Sequence, residues 1–301
     1  MRTVQEQINS FYKKTPLKFR IRTWYFATFK AMARLKKMYR NRMGAELNIE
    51  SPVTFNEKLQ WLKANHYDAL WVKCANKATL REYLRDRNME RLVLPCIGIY
   101  RKPSQIPFDK LPERFVIKVA NSSGFNLFIT SSEDKKHETE IKTCLKKMQR
   151  EKYYRYYFEW VYKSYPWLIV EEYIDNMEET FDCKFLCIEG NVVLVQFLNS
   201  NKEIVTNANF TRDLEKMNCS YSWDDTQEDI AYPPFYKDML RDAETIAKDF
   251  PVVRVDFLIS KNRYYVSELT FFPGSGYDKF EPDSFDYQFG EMLKIGNLDE
   301  R

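Results

Sequence analysis

The stretch that most constrains the fold of this chain runs from Val252 to Gly276, VVRVDFLISKNRYYVSELTFFPGSG. The alternating, β-branched segments VVRVDFLI and YYVSELTFF predict two strands, and KNR between them predicts the turn of a hairpin. Asp256 and Glu268 stand on opposite arms of that hairpin, so strand pairing can bring their side chains together.

An oxygen-rich site for Mg²⁺ is predicted on this hairpin from Asp256, Glu268 and Thr270. Thr270 follows Glu268 by two residues and therefore shares its face of the strand. Proteins commonly hold Mg²⁺ with one or two carboxylates plus substrate phosphates. Arg254 precedes Asp256 by two residues, which sets a cation beside the carboxylates. The alternative is a hairpin whose charged face is simply solvated.

Charge divides the chain into a basic arm and an acidic remainder. Of the net charge of +4, residues 1–45 carry +11, so the rest carries −7. Residues 17–43 mix Lys and Arg with aromatic residues, which predicts a basic amphipathic helix. This helix either contacts an anionic membrane surface or packs its aromatic face on the domain. No nucleic-acid reading motif accompanies it, so no nucleic-acid partner is expected.

Several classes of protein are not expected from the sequence. No apolar run approaches the ~20 residues of a membrane span, and the opening residues MRTVQEQINSF lack a signal-peptide pattern. The six cysteines have no paired C-x-x-C spacing, and two histidines add little to a zinc site. We therefore expect reduced cysteines in a cytoplasmic protein.

Helical signals precede the first strands. Thr54 and Glu57 form a predicted capping box ahead of apolar positions at helical spacing. Lys73, Lys77 and Arg81 recur every four residues, which predicts either a phosphate-binding stripe or a solvated helix face. Residues 133–165 are predicted to be helical and to cover a surface.

A strand, a loop of small residues and a second strand are predicted in FVIKVANSSGFNLFIT, residues 115–130. Lys118 lies at the base of this hairpin, and the loop is Ser122–Asn126. Backbone N–H groups of such a loop can bind phosphate oxygens while the lysine supplies charge. The P-loop motif G-x-x-x-x-G-K-[ST] is absent, and many ordinary turns have this composition.

Two further strands carry polar groups. WLIVEEYI (167–174) ends in two acids, and a chain leaving this strand can offer the Glu171 C=O and the Ile174 N–H to an adenine edge. TFDCKFLCIEGNVVLVQFLN predicts a hairpin that turns at Glu189–Asn191. Asp182 and Lys184 share one face of its first strand.

In this order, the segments resemble the ATP-grasp superfamily and specifically its TupA-like branch, found in bacterial cell-surface polysaccharide gene clusters. The resemblance spans roughly residues 50–285, and ELTFFPGSG after VRVD is its most specific part. The other matching segments are TFNEKLQWLK, KCANK, FVIKVANSSGFN, IVEEYI and DCKFLCIEGN.

The resemblance implies an α+β ATP-grasp fold in which two α+β lobes with antiparallel sheets sandwich ATP, preceded by a basic helical arm. The expected domains are the arm at 1–48, an α/β region at 49–112, a small lobe with the phosphate loop at 113–175 and a large lobe with the metal site at 176–301.

The resemblance also implies residue roles. Asp256, Glu268 and Thr270 would hold Mg²⁺, and Arg254, Lys184 and Lys118 would act catalytically by offsetting charge at the transferred phosphoryl group. The residues that would bind ATP are Lys77, Lys118, Ser122, Ser123, Gly124, Asn126, Glu171, Glu172, Tyr173, Ile174, Asp182 and Lys184. The residues suggested for the second substrate are Arg212, Gly274, Ser275 and Gly276.

The sequence departs from the family pattern at two places. The phosphate loop, often His-Gly-Ser-Gly in the family, is Asn121-Ser122-Ser123-Gly124 here, so the histidine and one glycine are replaced. The Asp that precedes the first lysine in the family is Asn76. Neither departure removes a carboxylate ligand.

The implied activity is an ATP- and Mg²⁺-dependent carboxylate–amine ligase that acts through an acyl phosphate. It would join an amino acid to a uronic acid or to another amino acid in surface-polysaccharide synthesis. One alternative is a glycosyltransferase of capsule or O-antigen synthesis, for which no glycine-rich Rossmann turn is visible. The other is a nucleotide-binding, membrane-associated scaffold without turnover. The expected partners are a glycan or sugar-acid substrate and an amino acid. The expected location is the cytoplasm, with residues 17–43 in peripheral contact with the inner face of the bacterial membrane.

Overall fold

The computed structural model describes residues 3–14, 31–122, 126–174, 182–199, 206–222, 232–260 and 263–296. The chain forms two compact units: unit 1 is Met1–Ala31 with Ala69–Asp175, and unit 2 is Met32–Asp68 with Asn176–Arg301. The α-helices are α1 (Val4–Lys14), α2 (Ala31–Met43), α3 (Phe55–Asn65), α4 (Ala69–Ala75), α5 (Lys77–Asp86), α6 (Ser132–Lys135), α7 (Glu138–Met148), α8 (Tyr236–Ala247) and α9 (Ser284–Met292). The strands are β1 (Cys96–Tyr100), β2 (Phe115–Val119), β3 (Asn126–Ile129), β4 (Leu168–Glu172), β5 (Asp182–Ile188), β6 (Asn191–Asn199), β7 (Thr206–Phe210), β8 (Ser220–Tyr221), β9 (Val252–Ser260), β10 (Arg263–Thr270) and β11 (Phe280–Glu281).

Unit 1 is built on a four-stranded antiparallel sheet in the order β1-β4-β2-β3. Alternate residues of the central strands, such as Phe115, Ile117 and Val170, are buried in one core with residues of α1 and α7. Ile169 points to the opposite face, where it packs with Ala78 of α5 and Ala120. Lys118 pairs with Ile169 across the strands, so Lys118 lies on the α5 face of the sheet.

The sequence between Ala69 and Asp86 forms two helices rather than one. Asn76 has extended backbone angles, and its side chain accepts a hydrogen bond from the Ala78 N–H, so it ends α4 and caps α5. The continuous cationic stripe considered for this segment is therefore wrong. Lys73 lies on α4 and pairs with Asp86 at the surface, whereas Lys77 and Arg81 belong to α5.

Unit 2 is built on a five-stranded antiparallel sheet in the order β10-β9-β5-β6-β7, beside a two-stranded ladder of β8 and β11. The apolar face of the large sheet packs on α8, whose Tyr236 ring stacks on Phe185 with centroids 5.8 Å apart. Met239, Ala243 and Ile246 of the same helix are fully buried. This leaves the alternate residues of β5 and β9 to form the other face, which carries the polar groups.

Helices α3 and α9 cap one another. Thr54 and Glu57 form the predicted capping box at the start of α3, and the Asp286 carboxylate of α9 accepts from the Asn56 N–H at 2.9 Å. In return, the Lys58 ammonium of α3 donates to the Gly290 and Leu293 carbonyls at 2.6 and 2.8 Å. Each charge lies at the helix end whose partial charge it complements.

The basic arm is described in part. Residues 15–30 lie outside the described ranges, and α2 covers the rest of the predicted helix. Leu35 and Tyr39 of α2 are buried, whereas Lys37 and Arg42 are exposed. None of the helices within the described ranges is long and apolar enough to cross a membrane.

The segment 133–165 is less helical than predicted. Helix α7 ends at Met148, and the following aromatic residues form two short 3₁₀ turns, Tyr153–Arg155 and Trp160–Tyr162. Aromatic side chains lose rotamer freedom in a helix, which favours such irregular structure where tertiary contacts are available. The Trp160 ring, in the second of these turns, stacks on the Trp71 ring with the two centroids 5.5 Å apart. The six cysteines are all free thiols, as expected.

Candidate active site

A row of polar side chains crosses the polar face of the unit 2 sheet. Glu268, Asp256, Lys184, Gln196 and Asn209 are successive register partners on β10, β9, β5, β6 and β7. Directly paired residues of antiparallel strands project to the same face. The pairing of Asp256 with Glu268 that the hairpin predicted is thus present.

A β-bulge creates this pairing. The register of β9 and β10 shifts between Val266 and Glu268, which leaves Ser267 as the extra residue. Without the shift, Glu268 would pair with Val255 and point to the apolar face. The Ser267 hydroxyl donates to the Asp256 carbonyl at 2.9 Å, so the bulge is held by a side-chain hydrogen bond beside the site.

Arg254 forms a buried, two-pronged ion pair with Asp256, the second residue of the row. Arg254 donates to both Asp256 carboxylate oxygens at 2.6 Å, and its side chain lies 4.0 Å from Glu268 and 3.3 Å from the Thr270 hydroxyl. Thr270 in turn lies 3.4 Å from Glu268. Arg254, Asp256, Glu268 and Thr270 therefore form one contiguous group, the carboxylate cluster.

Burial and charge act against each other in this cluster. Burial raises the pKa of the Asp256 carboxyl, while Arg254 and Lys184 oppose that rise. Burial lowers the pKa of the Lys184 ammonium, and Arg254 lowers it further. Burial acts to lower the pKa of Arg254 too, but the Asp256 and Glu268 carboxylates raise it overall. The guanidinium is the fixed positive charge of the cluster.

The donor chemistry of Asp256, Glu268 and Thr270 fits Mg²⁺, which binds hard oxygen ligands. Both Asp256 oxygens accept from Arg254 in this structure, and each oxygen has a second lone pair that is available to a metal ion. Within the described ranges, no group of three or more His, Cys, Asp or Glu side chains is arranged to hold a metal ion. Two carboxylates and a hydroxyl leave the remaining positions to substrate oxygens or water.

Gln196 and Asn209 extend the site through contacts that the sequence did not predict. The Gln196 amide donates to Asn209 Oδ1 at 3.0 Å and to the Tyr221 carbonyl at 3.1 Å, and Asn209 donates to the Cys219 carbonyl at 2.7 Å. Both side chains are buried. Gln196 interrupts the apolar run NVVLVQFLN. This single amide among apolar residues was the sequence signal that could have identified it as a site residue. These contacts fix β8 over the polar face.

The PGSG turn after β10 is held by α3. Gly274, Ser275 and Gly276 all have left-handed backbone angles, with φ of 56°, 55° and 60°. Gln60 donates to the Gly276 carbonyl and Lys63 to the Ser275 carbonyl, both at 2.6 Å. A Cβ on Gly276 would overlap the Gln60 amide, so this glycine is required for both its angle and its space. Gln60 and Lys63 are buried and were not among the predicted site residues.

Arg212 is not brought together with the carboxylate cluster. It pairs with Glu244 of α8 at 3.0 Å, and its carbonyl accepts from the Tyr236 hydroxyl of the same helix. Helix α8 covers the apolar face of the sheet. Asp182, by contrast, shares the polar face with Lys184 and is half-buried.

In unit 1, a buried carboxylate links two of the candidate cations. Lys118 contacts Glu171 at 2.8 Å, and Arg81 of α5 lies 3.7 Å from the other oxygen of the same carboxylate. Arg81 also donates to the Leu94 carbonyl at 2.5 Å, which anchors its side chain to the segment that leads into β1. The resemblance gave Glu171 a backbone role, and in the structure its side chain also links Lys118 and Arg81.

The phosphate loop is anchored at its base. Lys77 donates to the Ser122 carbonyl at 3.0 Å, and the Ser122 hydroxyl donates to the Val119 carbonyl at 2.8 Å. Ser123 and Gly124 lie outside the described residues, and Asn126 is exposed opposite Lys118. Lys77, Lys118 and Ser122 are thus brought to the same end of β2.

The two positions that depart from the family pattern share one role. The Asn121 amide donates to the Tyr162 and Ser164 carbonyls, and the Asn76 amide donates to the Ser164 hydroxyl and the Tyr165 carbonyl. Both asparagines therefore hold the segment that precedes β4 in place. In each case the hydrogen-bond donor is a neutral side-chain amide.

The end of β4 carries the remaining predicted nucleotide residues. Glu172 is exposed, and Tyr173 and Ile174 are half-buried. The Tyr173 ring lies 4.0 Å from the Arg114 guanidinium. Glu172 is still tied to the sheet, because its N–H donates to the Pro95 carbonyl.

Comparison with known proteins identifies the class. The family model for TupA-like ATP-grasp proteins matches residues 57–294, which is most of the chain. The chain therefore belongs to the TupA-like ATP-grasp family, and the predicted α+β ATP-grasp class is confirmed.

Solved structures with a similar arrangement are ligases by their names. D-alanine–D-alanine ligase from Bacillus anthracis complexed with ATP has 16% identity over 73% of this chain, with a TM-score of 0.43. L-amino acid ligase from Bacillus licheniformis has 14% identity over 79% of this chain, with a TM-score of 0.45. The match covers 64% of the first protein and 53% of the second, so this chain spans less than two thirds of the length of either. No curated protein sequence matches the chain.

Proposed function

We propose that this protein is an ATP- and Mg²⁺-dependent carboxylate–amine ligase that acts through an acyl phosphate. The observation that carries the proposal is the carboxylate cluster, in which two carboxylates, a hydroxyl and a buried guanidinium meet in a chain of the ATP-grasp family. This combination suits phosphoryl transfer, which depends on positioning and charge neutralisation more than on covalent chemistry by the protein.

The reaction has two steps. A carboxylate oxygen of the substrate attacks the γ-phosphorus of ATP, a new P–O bond forms, and the bond from the γ-phosphorus to the β,γ-bridging oxygen breaks as ADP leaves with its electrons. The neutral amine then attacks the carbonyl carbon of the acyl phosphate, a C–N bond forms, and phosphate leaves with the C–O bond electrons while the nitrogen gives one proton to water. Mg²⁺, when bound, would offset charge on the phosphate oxygens.

The chain's own residues would hold and neutralise these groups. Asp256, Glu268 and Thr270 would bind the metal, while Arg254 and Lys184 would offset charge at the transferred phosphoryl group. Lys118 would offset charge on ATP phosphates after release from Glu171, because phosphate oxygens compete with the carboxylate for the same ammonium.

Further residues would bind the nucleotide and exclude water. Lys77 and Ser122–Asn126 would bind phosphates, and this loop would exclude the water that hydrolyses an acyl phosphate. Glu171–Ile174 would bind adenine, with Asp182 near the ribose. Gly274–Gly276 would contact the second substrate.

We further propose that the product is an amide between an amino acid and a uronic acid or a second amino acid of a bacterial surface polysaccharide. The family membership supports this class over a glycosyltransferase. A scaffold without turnover remains the outcome if ATP binds and no carboxylate–amine pair stimulates ADP release.

The test is ADP and phosphate release by the purified protein with Mg²⁺-ATP, across amino acids combined with uronic-acid glycosides. We expect one pair to stimulate release and to give a product lighter by one water than the sum of its parts. Asp256→Asn and Glu268→Gln should each reduce turnover by at least roughly 100-fold, by analogy with the loss of other groups that stabilise transition-state charge. The matched controls are Asp283→Asn and Glu291→Gln, whose side chains are exposed. Unchanged turnover in the first pair would contradict the proposal.

A peripheral contact of the basic arm with anionic lipid is proposed separately. Helix α2 buries Leu35 and Tyr39 and exposes Lys37 and Arg42, so these two positive charges lie at the protein surface. Co-sedimentation with phosphatidylglycerol vesicles should fall in Lys37→Glu/Arg42→Glu. Binding equal to that of the unaltered protein would rule the contact out.

A further inference from the structure

One half-buried carboxylate of unit 2 has few partners. Asp278 follows the PGSG turn by two residues, and its Oδ2 accepts from the Ser222 hydroxyl at 2.6 Å. No cationic side chain within the described ranges forms an ion pair with it. A carboxylate has about four acceptor positions, so most of the hydrogen-bonding capacity of Asp278 is not used by the described residues.

Two other low-exposure carboxylates of unit 2, Asp256 and Asp286, each accept two hydrogen bonds. Asp256 accepts two charged hydrogen bonds from Arg254, and Asp286 accepts two from Asn56. Asp278 differs in having one neutral donor.

The fold brings Asp278 to the PGSG turn from two directions. Gly274 lies so close that an added Cβ would overlap the Asp278 carboxylate. Ser222, which donates to Asp278, follows Tyr221, whose carbonyl is held by Gln196 of the polar row. The carboxylate is therefore tied both to the turn and, through β8, to the residue that pairs with Lys184.

The position of Asp278 is built rather than incidental. Its carbonyl accepts from the buried Asn56 amide at 3.0 Å, and Ser222 adopts a left-handed φ of 66°, which is uncommon for a residue with a Cβ. A fixed carboxylate without an ion-pair partner is suited to bind a cationic group, since charge-assisted hydrogen bonds are about twice as strong as neutral ones.

We propose that Asp278 binds the ammonium group of the incoming amine substrate and so makes the ligase selective for amines that are cationic in solution. The nitrogen attacks only after this ammonium has given one proton to water and become a neutral amine. This inference rests on the proposed ligase function. Asp278 would act as a specificity-determining residue in the amine step and have no part in carboxylate activation.

The test separates the amine step from the activation step. Hydroxylamine, uncharged at pH 7.5, replaces the amine and traps the acyl phosphate as a hydroxamate. The amine probe is the amino acid, among the twenty common ones, that gives the highest ADP release. KM for that amino acid, KM for ATP and the hydroxamate rate are measured for the unaltered protein, Asp278→Asn, Asp278→Glu and the exposed control Asp283→Asn.

We expect Asp278→Asn to raise KM for the amino acid by roughly 10- to 100-fold, the range for a hydrogen bond to a charged group. Its hydroxamate rate and KM for ATP should change less than about twofold, and Asp278→Glu should recover part of the amine affinity. An unchanged KM for the amino acid, or an equal loss of activity in the amine and hydroxamate assays, would overturn the proposed role of Asp278. Neither result would bear on the ligase function itself. Absence of ADP release and of hydroxamate in the unaltered protein would instead overturn the ligase function on which it rests.

Discussion

Replacement of Arg254 by Met tests whether the carboxylate cluster depends on its guanidinium for stability. Arg254 and Asp256 are 7% and 5% exposed and share two hydrogen bonds of 2.6 Å. Arg254→Met leaves the Asp256 carboxylate buried beside Lys184 alone. Breaking a buried pair in this way costs about 3–5 kcal/mol. At about 2–4 °C per kcal/mol for a unit of this size, the melting temperature should fall by roughly 6–20 °C.

The complementary change is milder. Asp256→Asn leaves Arg254 near Thr270 at 3.3 Å and Glu268 at 4.0 Å, so its cost should be about 2–3 kcal/mol. The double variant removes both charges and should be more stable than the sum of the single effects by at least about 2 kcal/mol.

Calorimetric unfolding of the four proteins at pH 7.5 with EDTA measures this coupling without Mg²⁺. The exposed pair Arg241–Asp238 provides a control cycle, which should show no measurable coupling. Additivity within about 0.5 kcal/mol at Arg254 and Asp256 would refute the reasoning, because it would mean that neither charge depends on the other.

Three further outcomes are expected. Arg81→Met should weaken ATP binding by roughly tenfold in calorimetric titration, because it removes one of the two cations near Glu171 and so leaves Lys118 more strongly held by that carboxylate. The surface variant Arg85→Met should bind ATP with normal affinity. Equal ATP affinity in the two variants would contradict this argument. Gly276→Ala should destabilise the protein by about 1–3 kcal/mol, because it combines a left-handed φ with overlap on Gln60. Gly296→Ala, which has nothing within 4 Å, should leave the melting temperature unchanged. Gly290→Ala should lower the free energy of unfolding by about 1–3 kcal/mol, because the added methyl forces α9 away from the Val53 carbonyl and the Phe55 N–H. A melting temperature equal to that of the unaltered protein would argue against the close packing of α3 and α9.

The strands of the hairpin that carries Asp256 and Glu268 could be predicted from sequence, but their register could not. The alternation in VVRVDFLI and YYVSELTFF gives the two strands and their polar positions. The bulge at Ser267 then decides whether Glu268 faces Asp256, and a single extra residue leaves no periodic signature. A second bulge, between Leu186 and Cys187 on the β5–β6 pair, similarly brings Gln196 opposite Lys184.

Long-range contacts account for most of what sequence analysis missed. Gln60 and Lys63 lie in the helix that the capping box predicts, but their acceptors lie more than two hundred residues away in the PGSG turn. Arg81 belonged to a regular cationic spacing, whereas in the structure its partners are Glu171 and the Leu94 carbonyl. Local patterns therefore predicted the elements and several site residues, and tertiary pairing supplied their partners.

The mutual capping of α3 and α9 has a consequence for the order in which the chain acquires structure during synthesis. Lys58 and Asp286 are separated by most of the chain, so α3 leaves the ribosome long before α9, which supplies the acceptors for Lys58 and the carboxylate for the Asn56 N–H. Contacts of such high sequence separation form late, because the loop between them must first close. The continuous part of unit 1, Ala69–Asp175, emerges entirely within that interval. Translation itself thus favours a folding order in which the body carrying Lys118 and Glu171 matures first, and α3 gains its contacts with α9 only when α9 has been made.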